Sequence, residues 1–507
     1  MNMTNFIKPW VEKMPDKTAV IYEDKRITYA QLDRLINKVA NALTGLGLKR
    51  GEVVSVYLMS SPELYLSYLG AVRAGFVINV LNIMLKEIEL EYILKDCKAS
   101  VLIYDSRRKD VVDRVKGNIE SLRHEIIVGE KSGDIPTFQE LIEKASDEFT
   151  PVEVDENEDL CHLMYTSGTT GWPKGVMATH KNIYHNLTEF GKIHYNENDV
   201  IYVATPIFHC WGLINGTYAM WSRGGTVITI ERFYPDKALD DIEKYRPTVF
   251  IGVPPMYNLM VKTPDVEKRK LDSVVFCLSA ATKMPPELIK MVEQTLKWKY
   301  AEAWGLTEVS CVGTTAPYWE TRIGSCGRAM GGAQLKVVDE EGNELPPGKE
   351  GELCIKGPCV TKGYLNKPEA TKEVFKEDGW FHSGDIAYLD EDGFAYIVDR
   401  KKDMINVGGE KVFPSEVEDI MLTNPKIKDV VIVGIPDELK GEKVKAFIQL
   451  KEGEKATEEE IIQFCKEKMA PYKVPSEIEF LEELPRSAAG KALRRLLRDR
   501  ELEKMKK

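Results

Sequence analysis

The sequence predicts an α/β protein: a large N-terminal domain of mostly parallel α/β sheets carrying a small β-barrel-like subdomain, then a smaller C-terminal α+β domain. Three changes of texture predict it. From Val53 to about Thr315, short apolar runs alternate with amphipathic stretches, the pattern of a parallel sheet covered by helices. From about Gly324, turn signals crowd in at Glu341-Gly342-Asn343, Pro346-Pro347-Gly348, Asp378-Gly379 and Asp392-Gly393, which suits an antiparallel barrel or small sheet. After Arg400-Lys401-Lys402-Asp403 the composition shifts again. These changes divide the chain into an N-terminal domain, 1–401, whose β-rich part is about 324–399, and a C-terminal domain, 402–507.

Taken in order, the first long apolar stretch is 64–85, but Arg73, Gly75, Asn79 and Asn82 interrupt it. A membrane span needs about 20 mostly apolar residues. The stretch reads instead as an amphipathic helix to Ala74, a turn at Gly75 and a buried strand from Phe76. A helix over 87–96 and a strand over 100–104 follow. His180, His185 and His194 fall on a helix expected at the surface. Strands are predicted at 200–206, 225–230, 248–253 and 274–279, with helices at 237–245 and 286–297. The C-terminal domain reads as helix 415–422, strands 429–435 and 443–450, helix 457–469, strand 477–481 and helix 491–504.

Composition removes several classes of function. Lys and Arg total 69 against 80 Asp and Glu, a net charge of −11, whereas nucleic-acid readers concentrate positive charge. Nine cysteines run from Cys97 to Cys465 without a C-x-x-C pair, so neither a disulfide framework nor a zinc ribbon is expected. Cys354 and Cys359 read as packing residues, and no base marks Cys210 as a nucleophile. Lys8, Pro9, Glu12, Lys13, Pro15 and Asp16 preclude the apolar core of a signal peptide near the start. A cytoplasmic protein with no transmembrane segment is the expectation; oligomeric state is left open.

The densest chemical signal is Tyr165-Thr-Ser-Gly-Thr-Thr-Gly-Trp-Pro-Lys-Gly175, directly after the strand-like 160–164. Thr166, Ser167, Thr169 and Thr170 offer hydroxyls, Gly168 and Gly171 allow close backbone approach, and Lys174 adds a cation, the parts of a phosphate cradle. It is not a nucleotide-kinase P-loop, because Pro173 stands where the second glycine should be. On its own residues the loop is either such a cradle or a flexible turn.

Five further segments accompany it in order: Ser279-Ala280-Ala281-Thr282, Trp304-Gly305-Leu306-Thr307-Glu308, Ser383-Gly384-Asp385, Tyr396 to Ile405 followed by Gly408-Gly409, and Pro485 to Lys491. With them the loop resembles the signature of the adenylate-forming enzymes, which include acyl-CoA synthetases, nonribosomal-peptide adenylation domains and beetle luciferases. The opening Arg26-Ile-Thr-Tyr-Ala-Gln-Leu32 resembles their recurring Thr-Tyr-x-x-Leu. Trp304 stands where most relatives carry Tyr, and Ala280-Ala281 where they are often Gly-rich.

The resemblance implies roles residue by residue. The loop 166–171 with Lys174 holds the ATP phosphates. Ala280, Ala281, Ala303, Trp304 and Gly305 border the adenine, with Trp304 stacking on it. Thr307 contacts the α-phosphate, and Glu308 with Thr166 holds Mg²⁺. Asp385 and Arg400 take the ribose. Lys491 is the catalytic lysine of adenylation, Lys402 the pivot of a mobile C-terminal domain, and Gly408-Gly409 the wall of the coenzyme A tunnel. His209, Trp211, Gly212 and Gly331 border the acyl pocket, His209 is a catalytic candidate along with Lys491, Glu308 and Thr307, and Trp172 is a further pocket candidate on position alone. The implied activity is ATP-dependent ligation of a carboxylic acid, a fatty acid or similar apolar acid, to coenzyme A through acyl-AMP. The alternatives are transfer to a phosphopantetheine carrier protein and a catalytically silent adenylate-binding regulator.

Overall fold

The computed structural model describes residues 1–166, 172–408, 410–437, 440–486 and 492–505. Two sheets dominate residues 1–329. The smaller has the strand order His124–Val128, Ala99–Asp105, Val53–Tyr57, Val77–Val80, Leu160–Thr166, Lys174–Thr179, parallel except for the last pair. The larger runs parallel through Lys299–Trp304, Phe276–Ser279, Val249–Gly252, Val200–Val203, Thr226–Thr229 and Thr18–Tyr22. Short antiparallel strands finish its two edges, Lys25–Thr28 at one and Thr314–Thr315 with Arg328–Ala329 at the other. In such sheets ligands gather at the carboxyl ends of the strands, where Thr166 and Trp304 stand.

One apolar core joins the sheets, with Val54 and Val56 of the smaller and Val203 and Ile251 of the larger in the same cluster. Helices Pro62–Arg73, His180–His194 and Trp211–Tyr218 pack into it. The first ends where expected, at the left-handed turn of Gly75 (φ +81°), but it is not amphipathic: every residue from Leu64 to Arg73 is buried. Tyr65 meets Trp221 edge-on, and Tyr68 packs against His162 and Tyr218. Arg73 is tolerated there because its Nη1 donates to Asp33 and Asn37.

The helix His180–His194 is also not the surface helix expected. Its inner face carries His180, Asn182, Ile183, Asn186, Leu187, Phe190 and His194. Distant groups satisfy the polar members. Met3 N–H donates to His180 Nδ1 (3.1 Å), Asn182 to the carbonyls of Pro358 and Val360, and Asn186 to those of Val309 and Val312. Burial pushes His180 down to about 4 and His194 to about 3, so both are neutral at pH 7.

Of the barrel or small sheet that the turn spacing allowed, residues 334–400 form the sheet. Gln334–Val338, Gly351–Lys356, Phe381–Leu389 and Ala395–Arg400 make an antiparallel meander whose outer strands do not pair with each other among the described residues. Four strands are too few to close around a filled interior. Trp304 and Val309 complete the core on one face instead.

The C-terminal strands and helices fall where the sequence put them: Pro414–Met421, Ile427–Asp437, Gly441–Leu450, Glu458–Lys468, Glu477–Phe480 and Arg494–Met505. The hairpin Ile405–Val407/Glu410–Val412 was not anticipated; it extends the same sheet. Several contacts among the described residues fasten this part to the rest, Lys283 with Asp419 and Ser415 Oγ–H to Val398 O among them. Ser415 donates from N–H and Oγ to Asp399, and Lys411 pairs with Glu340 at 2.6 Å. All nine cysteines are free. No helix among the described residues is long and apolar enough to cross a membrane.

Candidate active site

The antiparallel strands Leu160–Thr166 and Lys174–Thr179 flank the segment predicted to cradle phosphate, with Tyr165 opposite Gly175 and Thr166 opposite Lys174. Ser167, Gly168, Thr169, Thr170 and Gly171 lie outside the described residues. Both flanks are tied to helix Glu87–Asp96. Tyr165 donates its hydroxyl to Asp96 Oδ2 at 2.6 Å, and Trp172 stacks on Tyr92 with ring centroids 4.6 Å apart. Trp172 is therefore a surface prop for the loop, 54% exposed, and not a wall of an acyl pocket.

Strand Lys299–Trp304 delivers the next group. Gly305 is obligatory after it: a Cβ there would stand 1.7 Å from the carbonyl oxygen of Cys311. Trp304 packs into the core of the antiparallel sheet beside Leu353 and Ile355, and its indole N–H donates to Asp385 Oδ2 at 2.7 Å. Asp385 Oδ1 accepts from Arg400 Nε, also at 2.7 Å. Asp385 and Arg400 face each other in the ladder of strands Phe381–Leu389 and Ala395–Arg400, so the predicted ribose pair is built into neighbouring strands. Trp304 has lost a hydroxyl relative to Tyr but supplies an N–H to the same carboxylate.

Ala280 and Ala281 follow strand Phe276–Ser279. Ala281 has φ +75°, a left-handed conformation that costs a residue with a Cβ roughly 1–2 kcal/mol and glycine nothing. A Gly-rich segment is thus the relaxed choice here, and this chain carries strain in its place. The loop after it is tied to Glu302, missed in the sequence, whose carboxylate accepts from Met284 N–H and from the Tyr300 hydroxyl. Burial pushes Glu302 up to about 7. A charge inside the otherwise uncharged run 300–304 was the available signal.

Glu308 sits in the single turn Thr307–Val309, with Thr307 immediately before it. Its Oε1 accepts from Tyr364 at 2.8 Å, and its Oε2 meets no donor among the described residues. Among those residues no group of three or more His, Cys, Asp or Glu could hold a metal alone. A single carboxylate with a nearby hydroxyl fits Mg²⁺, which keeps several waters and takes its other ligands from substrate phosphates. Tyr364 was also missed, because nothing local in 361–365 marks it. Lys174 reaches the same residue, its Nζ 4.6 Å from the Tyr364 ring centroid.

On the acyl side, His209 and Cys210 lead into the wide helical turn Trp211–Tyr218. Trp211 is buried, donates its indole N–H to Gly252 O at 3.1 Å, and meets Phe190 edge-on. Gly212 lies so near the Thr205 and Pro206 carbonyls that a Cβ would come within 2.9 Å of both. Gly331, at φ +56°, accepts from His185 Nε2, and a Cβ on it would strike Glu189 and His185. Helix His180–His194 thus touches both Trp211, through Phe190, and Gly331, through His185. Burial pushes the thiol of Cys311, which neighbours Cys210, well above the usual thiol range, the opposite of what a nucleophilic thiolate needs.

Lys402 lies in the turn Lys401–Asp403 that joins strand Ala395–Arg400 to the C-terminal sheet. Gly408 has φ +63° and donates its N–H to Lys440 O. Gly409 and Lys491 lie outside the described residues. The segment holding Lys491 is bracketed by a bridge between Arg486 and Ala492.

Comparison with known proteins finds relatives over nearly the whole chain. The AMP-binding enzyme family matches residues 7–365, and the AMP-binding enzyme C-terminal domain matches 416–491. A long-chain-fatty-acid–CoA ligase of Bacillus subtilis is 35% identical, covering 97% of this chain and 93% of that protein. The anthranilate CoA ligase AuaEII, solved with anthranoyl-AMP, superposes with a TM-score of 0.93 at 30% identity, covering 100% of this chain and 98% of that one. MatB from Rhodopseudomonas palustris superposes at 0.91 in its ATP-bound form (30% identity, 99% of each chain) and 0.79 in its apo form (29%, 99% of each). The chain therefore belongs to the AMP-binding enzyme family.

Proposed function

We propose that the protein is an AMP-forming acid–CoA ligase that activates a carboxylic acid with ATP as acyl-AMP, releases pyrophosphate, and passes the acyl group to coenzyme A. One observation carries the reading. Thr166, Lys174, Tyr364 and Glu308 form one run of contacts and Trp304, Asp385 and Arg400 a second, and only the short segment 305–307 separates Trp304 from Glu308.

The acid and the α-phosphate are both anionic, and their repulsion is what the site must offset. Thr166, Lys174 and the loop 167–171 would gather the triphosphate, Thr307 and Lys491 would meet the α-phosphate and reacting oxygens, and Asp385 with Arg400 would hold the ribose. Mg²⁺, when bound at Glu308 and Thr166, supplies positive charge to the phosphates. No general base is needed, because the attacking carboxylate is already ionised. The acid is an apolar one by our reading, fatty or aromatic, because the buried residues that follow His209 and Cys210, Trp211 and Gly212 with Phe190 against Trp211, carry no charge. Nine free thiols suit the cytoplasm.

The domains divide at Lys402, and the two MatB scores bear on their orientation. One protein scores 0.91 with ATP and 0.79 without, and residues 1–401 are about four fifths of the 507. We read the difference as the smaller domain's orientation, which here is that of the ATP-bound form. A panel of carboxylic acids with ATP and CoA, scored for AMP and thioester, tests the function. AMP released only in the presence of a carrier protein would overturn the acceptor assignment.

A further inference from the structure

Tyr364 is the joint at which the phosphate-loop strands meet the metal carboxylate. Its segment runs along strand Lys174–Thr179: Lys362 N–H donates to Met177 O, Met177 N–H to Gly363 O, and Leu365 N–H to Gly175 O, all within 2.8–3.0 Å. The head of the same segment grips the turn carrying Glu308, with Thr361 N–H and Oγ–H both donating to Glu308 O at 3.0 Å. Between these anchors the Tyr364 side chain is almost fully buried, its hydroxyl on Glu308 Oε1 and its ring face under Lys174.

We propose that Tyr364 is a positioning residue for adenylation: its hydroxyl fixes the Glu308 carboxylate by one oxygen, leaving the other for Mg²⁺, while its ring seats Lys174 beside the triphosphate. A glutamate left unanchored must give up rotamer freedom when it takes a metal, and the anchor removes that cost in advance. Because Thr166 stands opposite Lys174, the same ring also sets the spacing between the two Mg²⁺-binding side chains. The proposal rests on the adenylating reading of this site.

The test uses the full chain and Mn²⁺ as the probe. Affinity of the enzyme–ATP complex for Mn²⁺ is measured without any carboxylic acid, from the paramagnetic resonance signal of free Mn²⁺. Tyr364→Phe keeps the ring and removes the hydroxyl; loss of such a partner typically weakens metal binding by about 10–100-fold. The expected result is a drop of about tenfold in Mn²⁺ affinity at unchanged Tm, with adenylation recovered at high Mg²⁺. Tyr364→Leu, which also removes the ring, is expected to weaken ATP binding even at saturating metal. Wild-type Mn²⁺ affinity in Tyr364→Phe, whether or not Tm falls, would make Tyr364 a core residue and overturn the proposal. Failure of the wild-type enzyme to bind Mn²⁺ with ATP would instead overturn the metal-assisted reading of the whole site, and this inference with it.

Discussion

At Asp385 the Trp304 indole N–H and the Arg400 Nε–H take one carboxylate oxygen each, so the group proposed to hold the ribose is already oriented. Trp304→Phe keeps an aromatic face and loses the N–H. A hydrogen bond to a charged group contributes about 1.5–3 kcal/mol, so KM for ATP should rise at least about tenfold with kcat nearly unchanged. Discrimination between ATP and 2′-deoxy-ATP should narrow as well. Unchanged KM in kinetics with both nucleotides would mean that the indole N–H plays no part in ribose binding.

Glu302 makes a separate prediction. Its carboxyl is raised from 4.5 to about 7 by burial, so the stability it contributes is present below pH 4.5 and is lost as pH rises through 7. Glu302→Gln should match the wild type in Tm near pH 5 and exceed it at pH 8. A shift of this size corresponds to on the order of 3 kcal/mol. Parallel melting curves of the two proteins from pH 5 to 8 would show that Glu302 carries no titratable strain.

Among the elements, helix His180–His194 shows where sequence patterning fails. Its histidines and asparagines read as a wet face, yet they bond to carbonyls at 309, 312, 358 and 360 and to the amide of Met3. Those partners lie more than a hundred residues away, and no local pattern announces them. Strand Thr18–Tyr22 pairing with Thr226–Thr229, and Tyr364 reaching Glu308 and Lys174, stayed hidden for the same reason. What was legible was local: Gly305 after Trp304, the strand that ends at Thr166, and the helices and strands of residues 414–505. The turn Trp211–Tyr218 carries the element-scale prediction. Trp211→Ala empties the space of an indole between Phe190 and Gly252 and should move substrate preference toward bulkier or longer acids. A competition assay in which all acids slow equally, with their ranking intact, would assign Trp211 to the core alone.

For the whole molecule the question is which half-reaction each orientation of the small domain serves. Lys491→Ala should nearly abolish acyl-AMP formation yet leave conversion of supplied acyl-AMP and CoA close to normal. Lys402→Pro should do the reverse. Proline fixes φ near −65° in the turn Lys401–Asp403, so it should trap one orientation of the smaller domain, by our reading the adenylating one. Single-turnover assays of the two steps separate these outcomes; equal losses in both steps for both variants would exclude a pivot at Lys402.

The stacking of Trp172 on Tyr92 has an optical consequence. Trp172 is more than half exposed, while Trp211, Trp221, Trp298 and Trp304 are buried, so its emission lies to the red of theirs. Excited at the red edge of the absorption band, it is a built-in fluorophore one residue from the phosphate loop. Acrylamide quenching of that emission, with and without nucleotide, would report nucleotide binding beside Trp172 in the unlabelled enzyme, with Trp172→Phe as the blank that removes Trp319's contribution.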